Sequence, residues 1–261
     1  SQITTMSTPL VHLHVEDRIA TITITRPKAL NALNAAVINA LHKHVVDLDG
    51  RDDVRVVLLT GEGQKSFVAG ADIAEFANHN QQEGQALAQR GQDLLFTRIA
   101  NAKKIYIAAI NGYALGGGLE LALSCHVRVA SDNAKMGLPE TSLGVIPGYG
   151  GTQRLAQCIG KGRAMDMMLS AEMIDAETAL AWGLVNAVST QDELMAEAKS
   201  RAKVYLRNSG DAQAAVIRAV NAGLDHKGGY DAEIVEFGKR FTSKEFVEGT
   251  EAFLSKRRAS F

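Results

Sequence analysis

Residues 110–140 read INGYALGGGLELALSCHVRVASDNAKMGLPE. Three adjacent glycines, Gly116, Gly117 and Gly118, separate an apolar run of strand length, Ile105–Ile110, from a helix-like stretch at 119–123. That order predicts a strand, a tight turn and a helix, with the turn's backbone bare enough for a ligand to touch it. The first amides of such a helix have no partner inside it and face whatever occupies the turn. Glu120 lies just past the glycines and Glu140 ends the segment, so the stretch reads as a hydrogen-bonding pocket beside an acid/base pair. On these residues alone a plainer alternative stands, because a glycine triplet also lets a helix pack closely on a strand and a lone helical glutamate is usually solvated. The spacing is not the G-x-G-x-x-G of a dinucleotide site. Gly160-Lys161 is followed by Gly162, not by the Ser or Thr of a phosphate loop.

Outward from this segment two periods compete. Val11, Leu13 and Val15 alternate with His12 and His14, and Ile22 and Ile24 with Thr21, Thr23 and Thr25, which predicts a β-hairpin. His12 and His14 share a face, but without a third ligand nearby a solvated strand face outweighs a metal. Residues 26–31 (RPKALN) form a loop around Pro27, and Ile38, Leu41, Val45 and Leu48 give the next helix one apolar face. The run at 54–59, apolar but for Arg55, reads as a strand covered on both sides. Small residues at 69–71 expose backbone amides, and Asp72 is placed to cap a helix starting near Ile73. A polar-faced helix over 83–100 and further strands at Ile105–Ile110 and 127–130 follow. Strand, turn and helix alternate to about residue 150 without a sequence repeat. From about 162 helical spacing takes over, with stripes at Met195, Ala198, Ala202 and Tyr205 and at Tyr230, Ile234, Phe237 and Phe241. Such stripes suit packing, and so many at the end of a chain also suit docking on another subunit.

With 261 residues, 46% of them hydrophobic, the chain can bury one substantial core or a core with a small appendage. A net charge of -1 argues against nucleic-acid or membrane-surface partners, so a polyanionic ligand must meet local cations. Cys125 and Cys158 give neither a disulfide framework nor a metal spacing, which points to a reducing, cytoplasmic setting. No apolar run approaches the ~20 residues of a membrane span. The polar start at 1–9 lacks a signal-peptide core, although a processed organellar form stays open.

Four blocks, 67–73 (FVAGADI), 110–120 (INGYALGGGLE), 139–155 (PETSLGVIPGYGGTQRL) and 249–257 (GTEAFLSKR), together resemble the enoyl-CoA hydratase, or crotonase, family, and the match runs collinearly from about Val11 to Phe261. The resemblance implies an α/β superhelix of ββα units with a C-terminal helical trimerisation region. We divide the chain accordingly into a spiral core with the active site, 1–195, and helices for oligomerisation and closure of the CoA pocket, 196–261. It implies a homo-oligomer, a hexamer built as a dimer of trimers. The implied substrate is an acyl-CoA thioester, coenzyme A being part of the substrate, with no separate cofactor and no metal. The amides of Ala71 and Gly117 would hold the thioester oxygen, and Glu120 and Glu140 would hold a water and exchange protons with it. Lys28, Ala29 and Leu30 would run along the nucleotide and pantetheine, with the Ala69 carbonyl near the adenine, and Gly70, Asp72 and Ile73 would also bind the substrate. Gly148 would lie near the catalytic water. Phe253, near adenine, and Lys256, near phosphate, would come from a neighbouring subunit. The implied reaction is reversible syn hydration of a trans-2-enoyl-CoA to a 3-hydroxyacyl-CoA. Keeping both glutamates separates it from the alternatives: an enoyl-CoA isomerase, another acyl-CoA lyase of the same family, or a non-catalytic acyl-CoA- or RNA-binding protein. Residues 74–77 and the surroundings of Leu143 border the acyl end, and the motifs leave chain length undetermined.

Overall fold

The computed structural model of the chain describes residues 9–224 and 227–261, so the polar start at 1–8 lies outside the described residues. The alternating segment forms a hairpin of β1 (Val11–Glu16) and β2 (Ile19–Ile24), paired from Val11 opposite Ile24 to Glu16 opposite Ile19. His12 and His14 face solvent. Helix α1 (Ala35–Asp49) starts at Asn34, whose side chain accepts from the Val37 amide at 2.9 Å, a cap worth about 1 kcal/mol. Its buried face is Val37, Ile38, Leu41, Val45 and Leu48.

From there the chain winds in turns that each give one strand to a large sheet, one to a small sheet, and then a helical segment. In the first, β3 (Val56–Gly61) and β4 (Ser66–Ala69) precede α2 (Ile73–Phe76) and α3 (Gln81–Gly91), which continues through a π turn at Gln92–Phe96 into α4 (Thr97–Ala100). In the second, β5 (Ile105–Ile110) and β6 (Tyr113–Leu115) precede α5 (Gly117–Ser124). In the third, β7 (Val127–Ser131) and β8 (Lys135–Gly137) precede a 3-10 turn at Glu140–Leu143, α6 (Gly151–Ile159) and α7 (Lys161–Ser170). β9 (Ile174–Asp175), α8 (Ala176–Ala181) and β10 (Ala187–Ser189) complete sheets ordered β1-β2-β3-β5-β7-β10 and β4-β6-β8-β9. Apart from the hairpin and the β8–β9 edge, neighbouring strands run parallel. This is the α/β superhelix of ββα units that the family resemblance implies.

Why β3 and β5 are apolar on both faces follows from what covers them. Val57, Leu59, Tyr106, Ala108 and Ile110 join the main core, while the alternate residues Val56, Leu58, Ile105, Ile107 and Ala109 pack under α9 (Leu194–Leu206) through its Leu194, Ala198 and Ala202. Asn111 ties the corners between the sheets: its Oδ1 accepts from the Gly61 amide at 3.1 Å, and its Nδ2 donates to the carbonyls of Gly63 and Ser66. The chain ends in α10 (Gly210–Leu224), α11 (Lys227–Arg240) and α12 (Lys244–Leu254). Phe237, Phe241 and Phe246 of this region pack with Phe76, Ala88 and Val145 in a separate apolar cluster. No helix among the described residues is long and apolar enough to cross a membrane.

Two local expectations change. The helix expected over 83–100 begins at Gln81, where Asn80 caps it, and widens at Gln92. Asp72 does precede α2, but its carboxylate accepts from Arg26 Nη2 at 3.2 Å instead of from the helix amides. A guanidinium with a fixed fork of donors outcompetes a cap on a helix of one turn.

Candidate active site

Neighbouring parallel strands β4 and β6 each end in a glycine with a positive φ, 83° at Gly70 and 55° at Gly116, followed by Ala71 and Gly117. The Gly116 angles, φ 55° and ψ -124°, are closed to side chains. The two turns adjoin, since a Cβ on Gly116 would stand 3.6 Å from Gly70 Cα and 3.4 Å from Glu140 Oε1. The first turn is braced by the 26–33 loop, where the Leu33 amide donates to the Gly70 carbonyl at 3.0 Å and the Asp72 amide to the Leu33 carbonyl at 2.7 Å. Among the described residues neither the Ala71 nor the Gly117 amide donates to a protein carbonyl, and both residues line one cavity.

Glu120, in the first turn of α5, is buried at 2% exposure. Its Oε2 accepts from the amides of Tyr149 at 2.7 Å and Gly151 at 2.8 Å. The carboxyl oxygens of Glu140 are enclosed as well, with no hydrogen-bond partner among the described residues. Burial pushes the Glu140 carboxyl up to about 8. Burial also drives Glu120 well above the usual carboxylate range, helped by the nearby Glu140 and Glu233 charges and opposed by the two amides. A pair placed like this titrates together.

The sequence reading did not single out Glu233. It projects from α11 at 3% exposure, and its Oε2 accepts from the Gly150 amide at 2.7 Å and Gln92 Nε2 at 3.0 Å. Its Oε1 accepts from the Thr152 amide at 2.8 Å and hydroxyl at 2.7 Å. Gln92 also donates to the Gly148 carbonyl at 2.7 Å. One signal was available: Glu233 sits inside the apolar stripe of Tyr230, Ile234 and Phe237, where a solvated acid is out of place.

The cavity, about 230 Å³, brings together Ala69, Gly70, Ala71, Ile73, Gly117, Glu120, Glu140, Gly148 and Phe253 from the sequence-derived set. Phe76 and Leu143, from the two segments expected to border the acyl end, line it too, as do Tyr149 and Phe237, which were not anticipated. The ring of Tyr149 stacks on Phe96 with centroids 4.5 Å apart. Lys28, Ala29, Leu30, Asp72 and Lys256 do not line the cavity. The 3-10 turn Pro27–Ala29 and Leu30 lie beside it, the Leu30 carbonyl accepting from the Ala69 amide at 3.0 Å. Lys256 is exposed three residues beyond Phe253. Phe253, 55% exposed, lines the cavity of its own chain. Its helix, α12, rests on the Glu140–Leu143 turn so closely that a Cβ on Gly249 would meet Leu143 backbone atoms at 2.5 Å. A second cavity, about 490 Å³, runs beneath α10 past Val216, Val220 and Asn221; Cys125, Cys158, Tyr230 and Ile234 line it, but none of the expected catalytic or substrate-binding residues does.

The comparisons with known proteins agree with one another. The sequence model of a family described as enoyl-CoA hydratase/isomerase matches residues 14–261. The short-chain-enoyl-CoA hydratase of Clostridium acetobutylicum is 41% identical over 250 residues, 95% of each chain. The crotonyl-CoA hydratase of Syntrophomonas wolfei is 41% identical over 251 residues, 95% of this chain and 96% of that one. Among solved structures, carnitinyl-CoA hydratase from Mycobacterium avium superposes with a TM-score of 0.84 at 31% identity, covering 98% of this chain and 99% of that one.

Proposed function

The chain belongs to the enoyl-CoA hydratase/isomerase family and is an enzyme of the hydro-lyase type, and from that premise we propose how it adds water reversibly to a short trans-2-enoyl-CoA. The observation that carries this reading is the enclosure of the Glu120 and Glu140 carboxyls in one cavity with the starts of the two glycine turns. Negative charge grows on the thioester oxygen as water attacks. Two fixed amides, Ala71 and Gly117, the latter at a helix N-terminus, favour that charge over the neutral ground state. Each such donor is worth about 2.7–4 kcal/mol.

The two carboxyls divide the proton work by their surroundings. Glu120, with two main-chain donors on one oxygen, is the better site for the charge and takes a proton from water as its oxygen bonds to the β carbon. Glu140, with no donor on either oxygen, is the better site for the proton and delivers it to the α carbon of the enolate. The product carries the elements of water across the former double bond, and the reverse step returns them. Lys28 and Lys256 supply the cations that the CoA phosphates need in a chain of net charge -1. No cofactor beyond the CoA of the substrate enters the reaction.

The relatives named short-chain and crotonyl-CoA hydratases support a short acyl group, as does a cavity walled by Phe76, Leu87, Tyr149 and Phe237. For the assembly we propose a dimer of trimers in the cytoplasm. The exposed apolar side chains Met165, Leu169, Met173 and Leu180 on and around α7 and α8 support burial against another copy, and sedimentation at several concentrations measures it. The activity test is incubation of purified protein with crotonyl-CoA, following loss of the conjugated thioester absorbance. Hydration with Glu140→Gln at the wild-type rate rejects the assignment.

A further inference from the structure

Four successive amides at the start of α6 are shared between two buried carboxylates that approach from different helices. Those of Tyr149 and Gly151 go to Glu120 on α5, and those of Gly150 and Thr152 go to Glu233 on α11. The opening amides of a helix have no partner within it, so what orients this loop is its acceptors. Glu233 takes the larger share, adding the Thr152 hydroxyl and Gln92, while Gln92 fastens the Gly148 carbonyl. A Cβ on Gly148 would stand 2.6 Å from the Phe237 ring, so α11 is pressed on the same loop one turn further along.

We propose that Glu233 is a positioning residue for hydration: it clamps residues 148–152 so that two amides stay aimed at Glu120, which makes the reacting carboxylate depend on α11 being docked. The inference rests on the hydratase reading above. Removing one acceptor here strands several buried donors at once, so the loop must turn and Glu120 loses its hydrogen bonds. The charged and titratable groups facing this cluster are Glu120 on α5, Glu140 on the 3-10 turn, Tyr149 in the loop and Arg154 on α6. The Arg154 guanidinium donates to the Tyr149 carbonyl at 3.3 Å and lies 5.1 Å from the centroid of the Tyr230 ring.

Glu233→Gln keeps the volume but replaces one accepting oxygen by an NH2 that cannot accept, so it opposes half of the contacts. With crotonyl-CoA, kcat is expected to fall about tenfold or more while KM stays within about threefold, the pattern of a lost transition-state interaction. The acid limb of the kcat–pH profile moves to higher pH, because Glu120 without its donors ionises less readily. Amides 149–152 exchange faster with deuterium, a readout independent of activity. A folded Glu233→Gln protein with wild-type kcat, an unmoved acid limb, or a limb moved to lower pH (the effect of removing only a neighbouring negative charge) overturns the proposal. If that variant does not fold, Gln92→Leu with Thr152→Val strips two donors from the carboxylate, and wild-type kcat and exchange in the folded double variant overturn it equally. An inactive wild type in which Glu233→Gln still frees amides 149–152 rejects the hydratase reading and leaves the clamp intact.

Discussion

At Glu140 the chain holds an acid where folding alone would not place one. Its carboxyl is enclosed and unpartnered among the described residues, and burial pushes it up to about 8 from 4.5. Because the folded value lies above the unfolded one, the stability carried by the protonated form is full below about pH 4.5 and is lost as pH rises through about 8. Glu140→Gln removes a group that must otherwise ionise inside the protein, so it raises the melting temperature above pH 8 by about 2–4 °C per kcal/mol gained for a chain of this size. The gain disappears below about pH 4.5, which melts of both proteins at the two pH values check. The same change lowers kcat about 10²–10⁴-fold, the usual worth of a positioned proton donor, while acyl-CoA binding by titration calorimetry stays near wild type. Glu120 and Glu140 were legible because both lie in blocks with glycine turns that carry the family resemblance. Glu233 was not, because the acceptors it supplies are needed only once a loop 81–83 residues earlier in sequence packs against it.

At the scale of the element, the site depends on how closely α5 approaches β4. A Cβ on Gly118 would fall 1.8 Å from the Val68 carbonyl oxygen, a fixed backbone atom, whereas one on Gly117 would meet the Leu33 Cδ1 methyl at 3.3 Å. Gly118→Ala therefore has to shift the helix or the strand, and is expected to destabilise the protein by about 1–3 kcal/mol or more. Gly117→Ala needs only a small side-chain adjustment and gains helix propensity, so its melting temperature stays close to wild type. Its kcat/KM for crotonyl-CoA falls, because the added methyl stands at the amide assigned to the thioester oxygen. Thermal melts beside rates distinguish the two, and equal destabilisation by both substitutions contradicts this geometry. Periodicity revealed β1, β2, β3, β5 and β7 because each alternates or is buried on both faces. It could not reveal the π turn at Gln92–Phe96, which keeps the apolar spacing of an ordinary helix. Nor could it reveal the partner of Asp72, since the Arg26–Asp72 pair joins residues 46 apart.

Across the whole molecule the apolar interior falls into parts with different duties. The main core and the cluster under α9 hold the sheets, while a third cluster, Phe76, Ala88, Val145, Ile234, Phe237, Phe241 and Phe246, fastens α11 and α12 over the cavity. Phe241 is its hub: its ring lies 4.6 Å from that of Phe246, 5.2 Å from Phe237 and 6.0 Å from Phe76, and the bare Cα of Gly84 admits it to α3. Truncation of a buried Phe costs about 3–5 kcal/mol. Here that loss falls on contacts the sheets do not share, so Phe241→Ala is expected to loosen the covering helices before the core, as regions of unequal stability do. Deuterium exchange then speeds in α11 and α12 while the amides of β3, β5 and β7 keep their protection, and kcat for crotonyl-CoA falls with the loss of Phe237 and Glu233 from the cavity wall and its loop. Faster exchange spread evenly through the sheets shows instead that the third cluster is part of one cooperative core, and the dependence of the site on its covering helices then has to be sought in the hydrogen bonds of Glu233 alone.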